Sequence, residues 1–375
     1  MTEPHCDLVL LSWNHLEETQ ACLESLFQET ESTVPCRLFI VDNGSEPSVR
    51  AFLRSVKPFG AIQEVTLLQN ESNEGFPRGM NRGIQASRAP YVCLLNNDLR
   101  FGAGWLARML EVADAHSDIG VLNPTSSTFG NFPPRGQTIR DYIASLESKR
   151  GQYVEVGMCI GFCMVIRREL INRIGILSEE VERIFFEDED YCMRAQQAGF
   201  QCVVVSSSYV YHAEHKTVRK MPEREALFQR NQRWCHEKWG RWLRVAYLHL
   251  APLKLGSQAL REWLEHLLGW ARRRTHVYVM CSWLDGLAPG ELFVSVGLAP
   301  HADIHWIPVP AWGSHGSVVW HVLRRQKKPF DAIIVPDERW ARWMRRLGAA
   351  HHARVVVDDQ HALQMLWQER SRSRL

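Results

Sequence analysis

The chain lacks the apolar segment that a membrane-spanning helix needs. None of its 375 residues falls in a run approaching the ~20 consecutive apolar positions required to cross a bilayer. The first residues, MTEPHCDLVLLSW, have neither a basic start nor a small-residue cleavage site, so they do not resemble an export signal. We therefore expect a cytoplasmic protein, and any association with the inner face of a membrane would be peripheral.

An excess of one charge is also missing, and so is a paired cysteine motif. The 44 basic and 42 acidic residues give a net charge of +2, which does not indicate nucleic-acid binding. Cys159 and Cys163 have no second cluster to complete a zinc site. Others, such as Cys93 and Cys202, fall in apolar runs, where free cysteine behaves as a small hydrophobe. This usage is typical of a reducing compartment.

The first two thirds of the chain alternate strand-like and helix-like segments. Short, continuous apolar runs are typical of buried parallel strands, and apolar residues at helical spacing separate them. Strand, helix and strand at this length predict βαβ units and a mostly parallel sheet. The predicted strands are 7–11, 37–41, 65–69, 91–95, 119–122 and 203–210. The predicted helices are 16–27, 80–86, 105–116, 224–239 and one starting at Tyr191.

Asparagine and aspartate follow the strand within YVCLLNNDLR. Asn96, Asn97 and Asp98 come directly after its apolar residues. Ligands bind at the carboxyl ends of strands in open α/β sheets, and an oxygen cluster suits Mg²⁺ or Mn²⁺ holding substrate phosphates. A turn that caps the next helix would use the same residue types. The pattern therefore leaves a metal site and a capping turn both open.

Three further segments have the character of a ligand site. Asp42 ends the second strand, where it could contact a nucleotide's base or simply form an Asp-Asn-Gly turn. The loop 70–79 opens a helix and could offer backbone N–H groups to phosphate, with Arg78 adding charge. Gly157 and Gly161 flank an apolar strand, which would allow either close approach of a ligand or a tight strand crossing.

Four consecutive acids, Glu187 to Asp190, follow Phe185 and Phe186. Acids are favoured in the first turn of a helix by its dipole, which accounts for two of the four. Burial against the phenylalanines would raise the pKa of a carboxylate. A base with a raised pKa suits the deprotonation of a substrate hydroxyl.

The order of several motifs resembles a known enzyme family. LLSWNHLEETQACLESL, VDNGS, NEGFPRGMNRGI, YVCLLNND and FFEDEDYCMRAQQAGF resemble, in this order, family 2 inverting glycosyltransferases with the GT-A fold, of the bacterial rhamnosyltransferase and cell-surface glycan type. The resemblance covers about residues 5–240. It implies a metal-dependent inverting transfer of a sugar from a nucleoside-diphosphate sugar to a hydroxyl of a saccharide or lipid-linked acceptor, with Mg²⁺ or Mn²⁺ as cofactor.

The resemblance also implies roles for individual residues. Asp188 would be the general base, with Glu187 as the alternative, and Asp190 would orient the helix or meet the acceptor. Asp98 and His212 would hold the metal. Asn96 takes the first position of the family's D-x-D-like motif, a variant that many members show, which leaves one carboxylate at the metal. The residues implied at the nucleotide sugar, Asp42 at its base among them, are Asn14, Asp42, Asn43, Asn73, Gly75, Arg78, Asn81, Asn97 and Gly161.

Two rival functions share this scaffold, because a fold alone does not settle a function. One is a non-catalytic protein that binds sugar nucleotides or glycans, which the substituted Asn96 keeps open. The other is a nucleotidyltransferase, which would need a glycine-rich loop with a basic residue near the N-terminus. SWNHLEE, at positions 12–18, is not such a loop.

The last third of the chain has a different pattern. Apolar residues at helical spacing predict two amphipathic helices over 241–270, serving as a linker, a dimer-forming pair or a peripheral membrane contact. Residues 271–375 predict a small Rossmann-like α/β domain for binding or assembly, after the glycosyltransferase domain at 1–240. Its predicted strands are 276–280, 291–296, 303–309, 331–336 and 353–358, its predicted helices are 314–326 and 338–347, and a disordered tail is predicted at 369–375.

Overall fold

The computed structural model describes residues 3–213, 223–282, 288–310, 314–323, 328–358 and 366. The chain separates into two compact units. The first comprises the residues up to Val154 together with Met158–Cys235, and the second comprises Glu155–Gly157 and the residues from His236 onward. Each unit is considered by itself below.

The first unit alternates strands and helices. Its strands are β1 (Cys6–Ser12), β2 (Cys36–Asp42), β3 (Ile62–Gln69), β4 (Tyr91–Asn96), β5 (Leu99–Phe101), β6 (Ile119–Ser126), β7 (Tyr153–Glu155), β8 (Cys163–Arg167) and β9 (Gln201–His212). Its helices are α1 (Leu16–Glu29), α2 (Pro47–Ser55), α3 (Phe76–Ala86), α4 (Trp105–Ala115), α5 (Ile139–Ser145), α6 (Arg168–Ile174), α7 (Glu187–Gln197) and α8 (Arg224–Trp239). Short 3₁₀ helices lie at Ser127–Phe129 and Leu146–Lys149.

Within the described residues these strands form a nine-stranded sheet in the order β3-β2-β1-β4-β8-β6-β9-β5, with β7 beside β9. The strands β3, β2, β1 and β4 are parallel, as are β6 and β9. Strand β8 runs antiparallel to β4 and β6, and β5 runs antiparallel to β9. The predicted α/β fold with a mostly parallel sheet is confirmed.

Strand β1 is buried on both faces, which explains its continuous apolar sequence. Leu10 faces the core that α1 and α4 cover. On the other face α3 packs closely, because two of its residues lack side chains. A Cβ atom on Gly83 would lie 2.2 Å from Val9 Cγ1, and one on Gly79 would lie 2.5 Å from Leu11 Cδ1.

The second unit contains a five-stranded sheet among the described residues, in the order β12-β11-β10-β13-β14. All its neighbouring strands are parallel, which confirms the predicted Rossmann-like arrangement. The strands are β10 (Leu243–Leu248), β11 (Thr275–Cys281), β12 (Ile304–Pro308), β13 (Ala332–Val335) and β14 (Arg354–Val357). The helices are α9 (Gln258–Ala271), α10 (Pro289–Ser295), α11 (Ser314–Leu323), α12 (Glu338–Arg346) and α13 (Gly348–His351).

Two predictions for this unit are wrong. The segment 241–270 is not a helical linker, because β10 is the central strand of the second sheet and α9 is the helix that follows it. Residues 291–296 are not a strand, because Pro289 starts a helix at a position where its fixed φ is favourable. The predicted tail 369–375 and residues 324–326 lie outside the described residues.

No helix in the described part of the chain is long and apolar enough to span a membrane. All ten cysteines lie in the described part of the chain and are buried.

Candidate functional site

Polar residues gather where β1, β2 and β4 end. The register places Ser12 opposite Asp42 and Leu11 opposite Asn96, so the carboxyl ends of three neighbouring strands lie side by side. Asn97 follows β4, and its amide donates to the hydroxyl of Thr19 on α1 over 2.9 Å. The predicted clustering at this edge of the sheet is therefore present.

Asp98 and His212, the two predicted metal ligands, are brought together by strand pairing. Strand β5 begins one residue after Asp98 and pairs with the end of β9, with Leu99 opposite His212. The distance from Asp98 Oδ1 to His212 Nε2 is 3.2 Å, and both side chains are 13% exposed.

Two residues that the sequence did not predict hold the His212 ring. Its Nδ1 atom lies 2.9 Å from the hydroxyl of Thr128, and its plane stacks on Phe162 with ring centroids 5.1 Å apart. Metal-binding histidines commonly use their second nitrogen in this way, which fixes the ring orientation. Nε2 is thereby directed toward Asp98.

The spacing of Asp98 and His212 fits a divalent cation. Two neighbouring ligands at about 2.1 Å from an octahedral ion lie about 3 Å apart, close to the distance between these atoms. No group of three or more His, Cys, Asp or Glu side chains arranged for a metal occurs among the residues that the structure describes. A pair of protein ligands leaves positions for phosphate oxygens and water, as Mg²⁺ and Mn²⁺ sites commonly do.

Asp188 lies in the first turn of α7, which begins at Glu187 and so includes all four acids. One carboxylate oxygen of the half-buried Asp188 accepts the Gly161 N–H over 3.1 Å, and the other accepts the Glu189 N–H over 2.8 Å. Burial raises the pKa of Asp188 from 3.8 to about 6, against the opposing effect of these N–H groups. It can therefore be ionised at neutral pH and still bind a proton.

The other acids have different surroundings. Burial, with a contribution from the charge of Asp188, raises the pKa of Glu187 well above its usual value, and its Oε2 has no hydrogen-bond partner among the residues described here. Asp190 is fully buried and accepts from Arg194 Nε over 2.9 Å. Arg194 in turn donates to two backbone carbonyls, one in the last residue of α6 and one two residues beyond it, so the Asp190–Arg194 pair ties α7 to the end of α6.

The dipeptide Gly161–Phe162 contacts both the candidate base and a candidate metal ligand. The Gly161 N–H binds Asp188, and the next residue, Phe162, carries the ring that stacks on His212. The Phe162 carbonyl also accepts the Asn96 N–H over 2.9 Å. The two predicted halves of the site are therefore neighbours in the first unit.

The loop before α7 has an unusual backbone conformation. Arg183, Phe185 and Phe186 all have positive φ, between 56° and 80°, which costs free energy for residues with side chains. Helix α8 holds this loop through Asn231, whose amide donates to two of its carbonyls, and through Phe228, which packs against both phenylalanines. Such a conformation is typical of functional loops.

Asn43 organises the loop predicted to meet the diphosphate. Its amide donates to Asn73 Oδ1 over 3.0 Å and to the Gly75 carbonyl over 3.2 Å, while its oxygen accepts from Asn70 and the Glu74 N–H. Gly75 has a φ of +88° that favours glycine. These predicted donor-binding residues thus shape the loop.

Asp42 and Asn14 support the neighbouring turns. Asp42 is buried, accepting the Ser45 N–H over 2.9 Å and the Gln69 amide over 3.2 Å, with Arg50 3.6 Å away. The Asn14 N–H donates to the Ser45 hydroxyl. Both residues lie at the expected strand ends.

The remaining predicted donor residues lie on or beside α3. The Asn81 amide is buried and exchanges hydrogen bonds with the backbone of Leu177, and it also donates to Glu179. Arg78 is exposed, 3.6 Å from Glu179. The donor-binding role of all nine residues stays a prediction.

Several known proteins are similar to part of this chain. The model of glycosyl transferase family 2 matches residues 7–175. The succinoglycan biosynthesis protein ExoM of Rhizobium meliloti is 23% identical over 171 residues, which are 46% of this chain and 54% of that protein. An uncharacterised glycosyltransferase of Haemophilus influenzae is 25% identical over 217 residues, 56% of this chain and 68% of that protein. The structure of S. aureus TarS 1–349 with UDP-GlcNAc aligns with a TM-score of 0.43 and 17% identity, over 56% of this chain and 58% of that chain.

Residues 7–175, which lie within the first unit and its mostly parallel sheet, are thus similar to glycosyl transferase family 2. The family predicted from the order of the motifs is confirmed. The chain spans 54% of ExoM and 28% of the uncharacterised protein y4gI of Sinorhizobium fredii, another relative.

Proposed function

We propose that the chain transfers a sugar from a nucleoside-diphosphate sugar to an acceptor hydroxyl with inversion at the anomeric carbon. The observation that carries this proposal is the placement of Asp188. It is a half-buried carboxylate with a pKa of about 6, joined through Gly161 and Phe162 to the Asp98–His212 pair.

Asp188 would act as the general base. As the acceptor hydroxyl attacks the anomeric carbon, its proton passes to the Asp188 carboxylate, and the bond from that carbon to the diphosphate oxygen breaks. One displacement inverts the configuration, whereas a covalent intermediate on an enzyme nucleophile would retain it. The family membership of residues 7–175 supports this chemistry.

Asp98 and His212 would hold Mg²⁺ or Mn²⁺. Such a cation would neutralise charge on the diphosphate and so favour its departure. The loop that Asn43 organises would carry the nucleotide sugar, with Arg78 as an exposed cation next to it. Fixing this loop before the donor binds would lower the entropic cost of binding.

The acceptor would be a saccharide or a lipid-linked saccharide used for cell-surface glycans, on the cytoplasmic side of the membrane. The name of ExoM, a succinoglycan biosynthesis protein, supports a polysaccharide pathway. The donor's sugar and base are best found by experiment.

Release of nucleotide from donors tests the proposal without knowledge of the acceptor. Purified protein with Mn²⁺ or Mg²⁺ is incubated with a panel of nucleoside-diphosphate sugars. We expect slow release from one donor, lost on chelation and in Asp98→Ala, but kept in Glu111→Gln, a surface carboxylate on α4. Binding of a sugar nucleotide in calorimetry, with no release and no transfer to glycan acceptors, would instead indicate a binding protein.

A separate variant assigns the base. Asp188→Asn should abolish transfer and leave the affinity for the donor within about threefold, because the base acts on the acceptor. A large loss of donor affinity in this variant would indicate that Asp188 has a structural role.

A further inference from the structure

Three phenylalanine rings gather at the start of α7. Phe185 and Phe186 directly precede Glu187, where this helix begins, and Phe228 lies on α8. The Phe228 ring centroid is 5.5 Å from that of Phe185 and 5.2 Å from that of Phe186. All three residues are half-buried, and we call them the aromatic cluster. Apolar surface is therefore accessible close in the chain to the candidate base.

The backbone that carries two of these rings is unfavourable by itself. The φ angle is +80° at Phe185 and +72° at Phe186, a region in which bulky side chains are rarely found. Such conformations persist where the surrounding structure enforces them, and they are frequent at ligand sites. Burial does not explain this pair, because neither residue is fully buried. The strained backbone presents the two rings at the surface instead of placing them in the core.

Hydrogen bonds from two helices hold the loop that carries these rings. The Asn231 amide of α8 donates to the carbonyls of Glu182 and Ile184, over 2.9 and 2.8 Å. The Phe76 N–H, at the start of α3, donates to the Arg183 carbonyl. Both helices belong to the first unit. Because the loop is fixed before a ligand arrives, a ligand that binds to the aromatic cluster pays little entropy for ordering it.

The position of Asp188 indicates which part of a substrate the aromatic cluster would meet. Asp188 follows Phe186 by two residues, which span at most about 7 Å of extended chain. In the proposed reaction its carboxylate takes the proton of the attacking hydroxyl. The group next to the aromatic cluster is then the sugar ring that bears this hydroxyl. A lipid carrier joined to the other end of the saccharide would lie farther away.

We propose that the aromatic cluster is the acceptor subsite, on which the apolar C–H face of a pyranose ring stacks. This inference rests on the proposed function, and it makes the acceptor a saccharide instead of a protein or a simple alcohol. The face of an aromatic ring is negative and apolar, so it attracts the slightly positive C–H groups on one side of a sugar ring. The hydroxyl groups at the edge of the sugar stay available to Asp188.

Saturation-transfer NMR tests the inference without a donor and without turnover. The aromatic protons of the full chain are saturated in the presence of n-butyl glycosides of glucose, galactose, mannose, rhamnose and N-acetylglucosamine. We expect transfer to the C–H protons on one face of the pyranose ring of at least one glycoside.

The double variant Phe185→Leu/Phe186→Leu keeps apolar side chains at both positions and removes two aromatic rings. Its affinity for the same glycoside should fall by about three- to tenfold, the factor expected for an aromatic packing contact. The matched control is Phe59→Leu, which removes a phenylalanine that is 65% exposed and lies before the start of β3, away from the carboxyl ends of the strands. This control should bind the glycoside as the wild type does.

Three results would overturn the inference: transfer confined to the butyl chain, which would indicate a site for apolar chains, no transfer to any of the glycosides, or an unchanged affinity in the double variant. Should the double variant not fold, Phe228→Leu takes its place with the same expectations, because Phe228 lies on the regular helix α8.

Kinetics separate this inference from the proposed function. With a donor identified by nucleotide release, the KM for the glycoside should rise in the double variant by the same factor, while the KM for the donor stays within about twofold. A protein that releases no nucleotide from any donor but binds a glycoside through the aromatic cluster would contradict the proposed function and leave the saccharide subsite standing. A protein that transfers sugar with an unchanged KM for the glycoside in the double variant would contradict the subsite alone.

Discussion

Replacing Asp188 with asparagine should stabilise the protein at neutral pH while it abolishes transfer. Burial raises the pKa of Asp188 from 3.8 to about 6, so the folded state resists its ionisation. A carboxylate whose pKa is higher in the folded state contributes stability below its unfolded value and loses it as the pH rises through the folded value. The shift of about two pH units corresponds to a loss of at most about 3 kcal/mol in the free energy of unfolding at neutral pH.

The gain should be smaller than this limit. The oxygen of an asparagine can still accept the Gly161 N–H, but its NH₂ group would face the Glu189 N–H, and a lost hydrogen bond costs about 1 kcal/mol. We therefore expect the variant to be more stable by about 1–2 kcal/mol at pH 8. This gain should shrink toward pH 4, because the unfolded chain then also begins to bind the proton at the ordinary pKa of 3.8.

The assay is chemical denaturation of wild type and Asp188→Asn at several pH values from 4 to 8. Because the chain has two units, the transition of the first must be followed separately, for example through a signal assigned to Trp105, a buried tryptophan in its core. The stability difference should grow through about pH 6. If the variant were less stable at every pH, or if the difference in stability did not depend on pH, then burial of the Asp188 carboxylate would not destabilise the fold.

Three other substitutions test separate parts of the site. Thr128→Val should weaken Mn²⁺ binding by about 10- to 100-fold in calorimetry, because His212 loses the group that orients it. Gly75→Ala should lower stability by about 2 kcal/mol or more in thermal unfolding, because its φ is +88° and a Cβ would lie 2.6 Å from the Cα of Arg183; an unchanged Tm would contradict this. Glu187→Gln should lower kcat less than about tenfold, because burial disfavours the ionised form of this carboxyl that a base would need; a complete loss of transfer would move the base to position 187.

The sheet of the first unit could be predicted where strands are buried on both faces. Continuous apolar runs identified β1, β2 and β4, and helical spacing identified α1 and α4. Strand β5 was not predicted, because it is three residues long and owes its conformation to pairing with β9. Such pairing between distant segments leaves no periodic pattern in the sequence.

The second unit shows where periodicity misleads. The apolar residues of β10 recur at spacings that also fit a helix, and burial on both faces removes the alternation that marks a strand. In α10, the apolar run ELFVS resembled a strand, although it buries just Leu292 and Phe293 and leaves Val294 exposed. In both segments, tertiary contacts determine whether the chain forms a strand or a helix.

The order of the motifs was enough to predict the main candidate residues of the site. Asp98, His212 and Asp188 were identified in this way, and the structure places them around Gly161 and Phe162. The supporting residues were not identified, because a single threonine or phenylalanine has no distinctive pattern. Their roles come from contacts between segments far apart in the chain.

Among the four acids of α7, burial and hydrogen bonding, more than position in a motif, determine which carboxylate can act as the base. Asp190 is fully buried and paired with Arg194, so no acceptor can reach it. Glu187 is buried, and the burial that raises its pKa well above its usual value disfavours the charged carboxylate that a general base must offer. Asp188 alone among Glu187, Asp188 and Asp190 combines partial exposure with a pKa near 6. Its two N–H donors limit the rise in pKa, so the carboxylate is ionised at neutral pH yet basic enough to accept a proton.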